Sequence, residues 1–488
     1  MRRITDFMLL RFPYFIALYF LCHLILRIVS NNTLTIDESE QMMLAQQFSF
    51  GYNSQPPLYT WIQILFFKIF GVSIFAIAVL KNSFLFLLYL FTYLGAKEVT
   101  RDKSVSALCS ISMALLFQIA WVAQIDQIHS VAVTTSAAAT LYIFLRIAKG
   151  QKTIDYFFLG IACGCGFLFK YNFLLLILSM LLVSLVTSDL RQKVFTPKIV
   201  ISIATALLII IPHGVWFFQN TTLATVETID RMHFDQTGNP FINSAYGILD
   251  LLIANIAFIS PFWIIFLAFF RKDLQPDQYF QKNWLARIYV SIFLMLLLII
   301  VMSGTTNIKE RWLQPYLFFF PFWAILHVKS SALGIKAGNF ALTAAFFMVV
   351  VIIIIPIRLV TIDLSGKPHR ENFPFEKLSV KIKDKGFDKG LIIAENMFIG
   401  GNLRLFFDNA QALAPSISNL NHQQQNAVLY VWNDKKPVFV PPEINMTDYN
   451  CLEFKEKIPY KFSKSLVYKP RYAICTPLPH NLDFTVAL

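Results

Sequence analysis

The sequence predicts a polytopic α-helical membrane protein of about eleven transmembrane helices, followed by a C-terminal α/β domain. Three observations carry that prediction. Of 488 residues, 56% are apolar and only 15% charged, where a soluble domain has about a quarter of its residues charged. Phenylalanine supplies 49 residues, and the mean hydropathy is +0.57. Apolar runs of spanning length follow one another up to residue 358, after which the composition turns polar. These values exclude a disordered chain, a disulfide scaffold and an ordinary cytosolic enzyme.

A spanning helix needs roughly 20 mostly apolar residues. Eleven stretches qualify, 12–29, 74–96, 104–123, 128–147, 156–171, 173–187, 198–217, 246–270, 286–303, 312–328 and 338–358, the fifth and sixth short enough to form a re-entrant pair. Arg2 and Arg3 precede the first run, but it ends Leu26-Arg27-Ile28-Val29-Ser30 without a small-residue cleavage pattern, so it reads as a signal anchor. With the N-terminus cytoplasmic, one face receives eighteen Lys and Arg and the opposite loops before residue 359 receive five. That asymmetry satisfies the positive-inside rule, and an odd number of spans then puts the C-terminus outside. The net charge of +13 therefore belongs to membrane topology. Nucleic-acid binding needs a basic face on a soluble fold, which is missing.

Two domains follow: a transmembrane domain over 1–358 with an external loop at 30–73, and an external domain over 359–488. In the latter, Gly390–Glu395 and Val428–Trp432 read as strands, the second ending at an Asn433-Asp434 turn, and Met397–Phe407 reads as a short helix. A strand–helix–strand order in about 130 residues suits a small α/β domain with its own core. Cys22, Cys109, Cys163 and Cys165 lie in apolar spans and read as small buried hydrophobes; Cys451 and Cys475 lie in the external domain and are candidates for a disulfide.

The external loop carries the chemistry. Thr35-Ile36-Asp37-Glu38-Ser39-Glu40-Gln41 sets paired acids just beyond the first span, and Gln55-Pro56-Pro57-Leu58-Tyr59 precedes an interfacial apolar segment from Trp61 to Phe70. One reading of Asp37 and Glu38 is a solvated helix start with Thr35 or Asp37 as its cap. The other is catalytic. Asp126 falls in the next external turn, and Lys81, Lys170, Lys309 and Arg311 collect on the same side. Charges at a membrane boundary are costly and are usually paired or functional, and acids beside cations suit a base working next to a phosphate leaving group. His213, beside Pro212 and Trp216, reads as a structural hydrogen-bonding group; His233, in the loop Arg231-Met232-His233-Phe234-Asp235, is a candidate to touch an acceptor. The run Leu317-Phe318-Phe319-Phe320-Pro321-Phe322 reads as packing or lipid-facing surface with a kink at Pro321.

Taken together, Asp37-Glu38, Gln55-Pro56-Pro57-Leu58-Tyr59, Asp126 and Lys170-Tyr171 resemble the bacterial branch of the protein O-mannosyltransferase superfamily. So do Pro212-His213-Gly214-Val215-Trp216, Lys309-Glu310-Arg311-Trp312-Leu313-Gln314-Pro315 and Gly401-Asn402-Leu403-Arg404. This group of C-type glycosyltransferases includes the aminoarabinose transferases of lipid A and the rhizobial galacturonosyltransferases. The resemblance implies an inverting transfer of one sugar from a polyprenyl-phosphate donor to a lipid A, core or other envelope acceptor. The setting it implies is the periplasmic face of a bacterial inner membrane, with the N-terminus cytoplasmic and the C-terminal domain periplasmic. It implies Asp37 as base, Glu38 and Asp126 orienting the acceptor or the base, and Lys309, Arg311, Lys81 and Gln55 on the donor phosphate. Tyr59, Lys170 and Tyr171 would contact substrate, as would His233. The partners are thus a lipid-linked donor, an envelope acceptor and membrane lipid. No cofactor is certain, and a divalent metal is held open. The chain departs from the aminoarabinose transferases at Ser54-Gln55, where those carry an acid–Lys pair before Pro-Pro. A neutral pair brings neither that lysine's charge nor an acid for a metal, which favours another sugar. Two other classes compete, a lipid-linked sugar flippase and a scaffold. A flippase is expected to carry charges near the bilayer midplane and repeated halves, and a scaffold leaves Asp37 and Asp126 unexplained.

Overall fold

The computed structural model describes residues 2–233, 236–275, 281–415, 417, 427–433 and 449–477. Seven helices are long and apolar enough to cross a membrane: Phe12–Ser30, Ile74–Thr100, Ile128–Gly150, Ile199–Gln219, Pro240–Phe270, Asn283–Ser303 and Ser330–Val360. Two bent pairs raise the number to nine among the described residues. The Lys103–Leu115 and Gln118–Ile125 helices meet at 79°, and Phe173–Val186 meets Ser188–Val194 at 117°.

Neither of the other two expected spans is a single helix of spanning length. The fifth is the 17-residue helix Thr153–Phe169. The tenth divides into Glu310–Leu317 and Phe320–Ile325. Pro321 stands in the first turn of the second piece, where its missing N–H has no intrahelical partner to lose, so it starts a helix instead of kinking one. The phenylalanines around it are packed inside: Phe318, Phe319 and Phe322 are all buried.

The chain divides into two compact units, one helical and one bearing a sheet. The helical unit takes in Met1–Arg27, Ser49–Ile62 and Ala78–Ile355. Its most enclosed helix is Ile128–Gly150, with 78% of its apolar window buried, whereas Ile199–Gln219 is only 11% buried and presents Leu208 and Phe218 outward. The latter helix packs tightly on Thr153–Phe169 because Gly160 has no side chain: a Cβ there would lie 2.5 Å from the Ser202 carbonyl oxygen. Ser202 in turn donates to the Tyr156 carbonyl at 2.6 Å. Small residues at such crossings are the usual way for helices to approach in lipid.

The sheet unit takes in Ile28–Phe48, Gln63–Ile77 and Pro356–Leu488. The expected external loop 30–73 is therefore split, its two ends, 30–48 and 63–73, grouping with the C-terminal residues and 49–62 with the helical unit. Seven strands are described, β1 (Gly390–Ala394), β2 (Ala410–Leu413), β3 (Val428–Asn433), β4 (Tyr449–Lys455), β5 (Ile458–Pro459), β6 (Val467–Tyr468) and β7 (Pro470–Pro477). Five of them form a sheet in the order β2-β1-β3-β7-β4, and β5 pairs with β6. β1 runs parallel to both neighbours, with the Met397–Arg404 helix as the crossover from β1 to β2. Every residue of β1 is buried, as expected of a central strand covered on both faces. Cys451 and Cys475 oppose each other across β4 and β7 and form a disulfide. Asp434 of the expected turn lies outside the described residues.

Segment 28–48 is stitched into this unit at several points. The Gln46 amide accepts from the Ala412 N–H at 2.7 Å and donates to the Ala412 carbonyl at 2.9 Å, pairing with β2 as a strand would. Thr33 donates to the Phe373 carbonyl at 3.0 Å, and Lys461 reaches Asn31, Asn32 and Thr33.

Candidate active site

In the sheet unit, Asp37 and Glu38 stand in the first turn of the Ile36–Leu44 helix. Thr35 is its N-cap and Glu38 its third residue, and the two form a capping box: the Thr35 N–H donates to Glu38 Oε2 at 3.0 Å. Two N–H groups that the helix start would otherwise leave open are thereby satisfied. Glu38 is 1% exposed. Its carboxylate serves that cap and so helps to fix the helix start. Asp37, beside it in the same turn, is half-buried.

The helix is gripped by Met397–Arg404. Asn402 Oδ1 accepts from the Leu34 N–H at 2.7 Å, while Nδ2 donates to Ser39 Oγ at 3.0 Å and to the Leu34 carbonyl at 3.3 Å. Arg404 donates to the Met42 carbonyl, near the other end of the Asp37 helix. Burial pulls the Arg404 guanidinium down to about 10, against the opposing effect of Asp408.

In the helical unit, Asp126 sits at the corner between Ala123–Ile125 and Ile128–Gly150. Asp126 is extended, and Gln127 after it takes a left-handed conformation at φ 68°, which costs a non-glycine residue about 1–3 kcal/mol. Buried glutamines hold that corner in place. Gln127 donates to Gln118 Oε1 at 3.3 Å, and Gln314 donates to Gln127 Oε1 at 2.9 Å and to the Gln118 carbonyl at 3.1 Å. Gln118 also donates to Glu310 at 3.2 Å. The motif Lys309–Pro315 is thus tied to the Asp126 corner, a link made entirely of neutral amides and one carboxylate.

Lys81 is buried and donates to the Gln124 carbonyl at 2.7 Å, two residues from Asp126. Lys170 donates to Ser130 Oγ at 3.0 Å. The Tyr171 hydroxyl lies 2.9 Å from His213 Nε2, and His213 Nδ1 lies 2.8 Å from the Phe50 carbonyl. A carbonyl only accepts, so Nδ1 carries the proton and Nε2 receives the tyrosine hydroxyl. His213 is a pin between three segments, as expected. His233 reaches the Ser303 carbonyl at 3.1 Å, while Phe234 and Asp235 beside it lie outside the described residues. Gln55 is half-buried, its N–H bonded to Asn53 Oδ1 at 2.9 Å. Tyr59 is 0% exposed and packs against His129 and Phe84.

One more basic residue lies beside these candidates. Arg231, counted from sequence only for topology, pairs with Glu227 one turn back on Thr221–Met232, and Ser54 donates to the same Glu227 at 2.6 Å. Its signal was the i,i+4 acid–base spacing. Burial, with Arg311 and Arg231 nearby, holds Lys309 below the usual lysine range, so the three cations share one neighbourhood. Among the described residues no three His, Cys, Asp or Glu side chains are gathered to hold a metal ion.

Residues 54–216 match the family described as dolichyl-phosphate-mannose-protein mannosyltransferase. The lipopolysaccharide core galacturonosyltransferase RgtA of Rhizobium johnstonii is 31% identical over 430 residues, 86% of each chain. The chain belongs to this glycosyltransferase family. A second member, the lipopolysaccharide core galacturonosyltransferase RgtB of the same organism, is 31% identical over 427 residues, again covering 86% of each. The fold of this glycosyltransferase is that of ArnT from Cupriavidus metallidurans. The TM-score is 0.56 to the form bound to undecaprenyl phosphate, at 12% identity, covering 80% of this chain and 85% of that one. It is 0.57 to the apo form, at 10% identity, covering 94% and 97%. The glycosyltransferase is thus a multi-pass membrane enzyme of the C type, and the flippase reading has no support in these likenesses.

Proposed function

We propose that the enzyme transfers one uronic acid residue, with inversion, from a polyprenyl-phosphate donor to a lipopolysaccharide core or lipid A acceptor on the periplasmic face of the bacterial inner membrane. The observation that carries the reading is the cluster Lys309, Arg311 and Arg231, with Glu227 as the acid paired to it. Three cations in one neighbourhood suit an anionic donor. A donor whose sugar carries a carboxylate and whose lipid carries a phosphodiester brings two negative charges. The names of the two relatives and the neutral Ser54-Gln55 pair point the same way.

In the proposed step, the Asp37 carboxylate takes the proton of the acceptor hydroxyl as its oxygen attacks the anomeric carbon. The bond from that carbon to the phosphate oxygen breaks, and the electron pair leaves with the polyprenyl phosphate. The phosphate thereby gains a negative charge, so Lys309, Arg311 and Arg231 bind it more strongly in the transition state than in the ground state. That difference is what accelerates a reaction. Asp126, held at its strained corner, orients the acceptor.

Mass spectrometry of lipid A and core from cells with the gene, without it, and with Asp37→Asn tests this. The expected result is loss of mass for one uronic acid, restored by the parent gene and not by the variant, whose turnover falls at least about a hundredfold. Restoration by Asp37→Asn removes that residue as base. A lost mass that is not uronic refutes the donor assignment.

A further inference from the structure

Gly401-Asn402-Leu403-Arg404 is left without a role by the proposed chemistry, yet it lies against the element that carries the base. Asn402 spends its amide on that element: three of its four bonds go to Leu34 and Ser39, and the fourth holds its own helix at the Phe398 carbonyl, 2.9 Å away. It is 0% exposed. Leu34 is the residue just before the N-cap, three before Asp37, and Ser39 Oγ also donates to the Thr35 carbonyl at 2.6 Å. Asn402 therefore fixes both the backbone entering the first turn and the second turn after it. Arg404 holds the Met42 carbonyl, where a cation complements the negative end of the helix. Between these two contacts the helices touch so closely that a Cβ on Gly401 would lie 2.4 Å from the Ser39 carbonyl oxygen.

The Asp37 helix has only nine residues, too few to be stable by itself, and its capping box fixes its own first turn without fixing where that turn points. Three directional bonds from one rigid amide supply the missing orientation.

We infer that Asn402 is a positioning residue for transfer: it sets the direction of the first turn of the Ile36–Leu44 helix, and so the aim of the Asp37 carboxylate. Gly401 permits the approach and Arg404 fixes the far end. The inference rests on Asp37 being the base. A misplacement of about 1 Å at a reacting group costs up to a hundredfold in rate, whereas donor binding by groups outside this helix is untouched.

The test uses the full-length enzyme in detergent, with polyprenyl-phosphate-linked galacturonate as donor and core lipopolysaccharide as acceptor. Asn402→Ala is expected to lower kcat about ten- to a hundredfold with the donor KM within about twofold, at a temperature where parent and variant are equally resistant to heat inactivation. Asn402→Asp keeps the acceptor for the Leu34 N–H and loses the donors, so it should retain more kcat than the alanine variant; it also serves if the latter fails to fold. On the Asp37→Asn background, Asn402→Ala should change the residual rate by less than about twofold, because it acts through a group already removed. Unchanged kcat in both Asn402 variants, with faster heat inactivation only, overturns the inference while the base assignment stands. Equal losses with and without Asp37 overturn it as well. Full activity of Asp37→Asn overturns the base assignment itself, and the inference with it.

Discussion

Gly401→Ala adds a single methyl group at the seam between the Met397–Arg404 and Ile36–Leu44 helices. The new Cβ meets the Ser39 carbonyl oxygen at 2.4 Å, with Ser39 Cα and C at 2.8 and 2.9 Å, where ordinary contact begins at 3.4 Å. The helices must part by about 1 Å, because the obstruction is backbone and cannot rotate away. Asn402's bonds to the Leu34 N–H, the Leu34 carbonyl and Ser39 Oγ, at 2.7, 3.3 and 3.0 Å, then stretch beyond hydrogen-bonding range. Three such bonds are worth about 3 kcal/mol together. Alanine returns about 1 kcal/mol by its better helix propensity, leaving a net loss of about 2 kcal/mol. Hydrogen exchange read by mass spectrometry over residues 34–44 should then accelerate about 30-fold, while the Ile128–Gly150 helix, in the other unit, keeps its parent rate. Exchange within about twofold of the parent would show that the close approach of Gly401 is not what secures the Asp37 helix.

Three further outcomes follow from the structure. In the proposed step Lys309 assists donor binding only while protonated, so that contribution should be present at lower pH and lost as pH rises through its lowered pKa. Arg311→Gln removes a neighbouring like charge and should move the loss to higher pH, with donor KM raised about fivefold at neutral pH because the site is half-exposed; an unmoved alkaline limb refutes the shared cluster. The paired change Cys451→Ser and Cys475→Ser opens a loop spanning 24 residues and should cost the sheet unit about 3 kcal/mol, seen as faster proteolysis of β4 and β7. Equal protease resistance in the pair variant would mean the strand ladder alone suffices. Finally, a reporter fused after Leu488 should read as periplasmic. A cytoplasmic signal reverses the topology and with it the side on which transfer takes place.

Much of the helical unit was legible because a membrane imposes one demand, an unbroken apolar run of spanning length, that a sequence states openly. Where the run hides a break, as at Phe318 and Phe319 or within 104–123, composition alone sees one span and the structure has two pieces. The sheet was legible at its centre, where β1 and β3 are continuous apolar runs. The capping box was written in Thr35-Ile36-Asp37-Glu38, and it separates two adjacent acids that look equivalent in sequence: Glu38 closes the helix start and Asp37 does not take part in that cap. Membership of 28–48 in the sheet unit was not legible, since it rests on bonds such as Gln46 to Ala412, 366 residues apart, that no local pattern announces. The burial of Tyr59 was not legible for a related reason. A Pro-Pro-Leu-Tyr turn marks a corner, but whether its ring faces in or out is decided by His129 and Phe84, which come from elsewhere.

The bond from Asn402 to Leu34 joins residues 368 positions apart. A ribosome adding about 5–20 residues each second makes the second partner roughly 20 to 70 s after the first. Through that interval the Asp37 helix exists without its grip, although the early spans can already be inserted. The proposed base therefore becomes properly aimed only when synthesis is nearly finished, and a chain cut short before residue 402 should be embedded, lipid-associated and inert. On the proposed roles of Asp37 and Asn402, an enzyme organised in this way should not act on its donor while it is still being made.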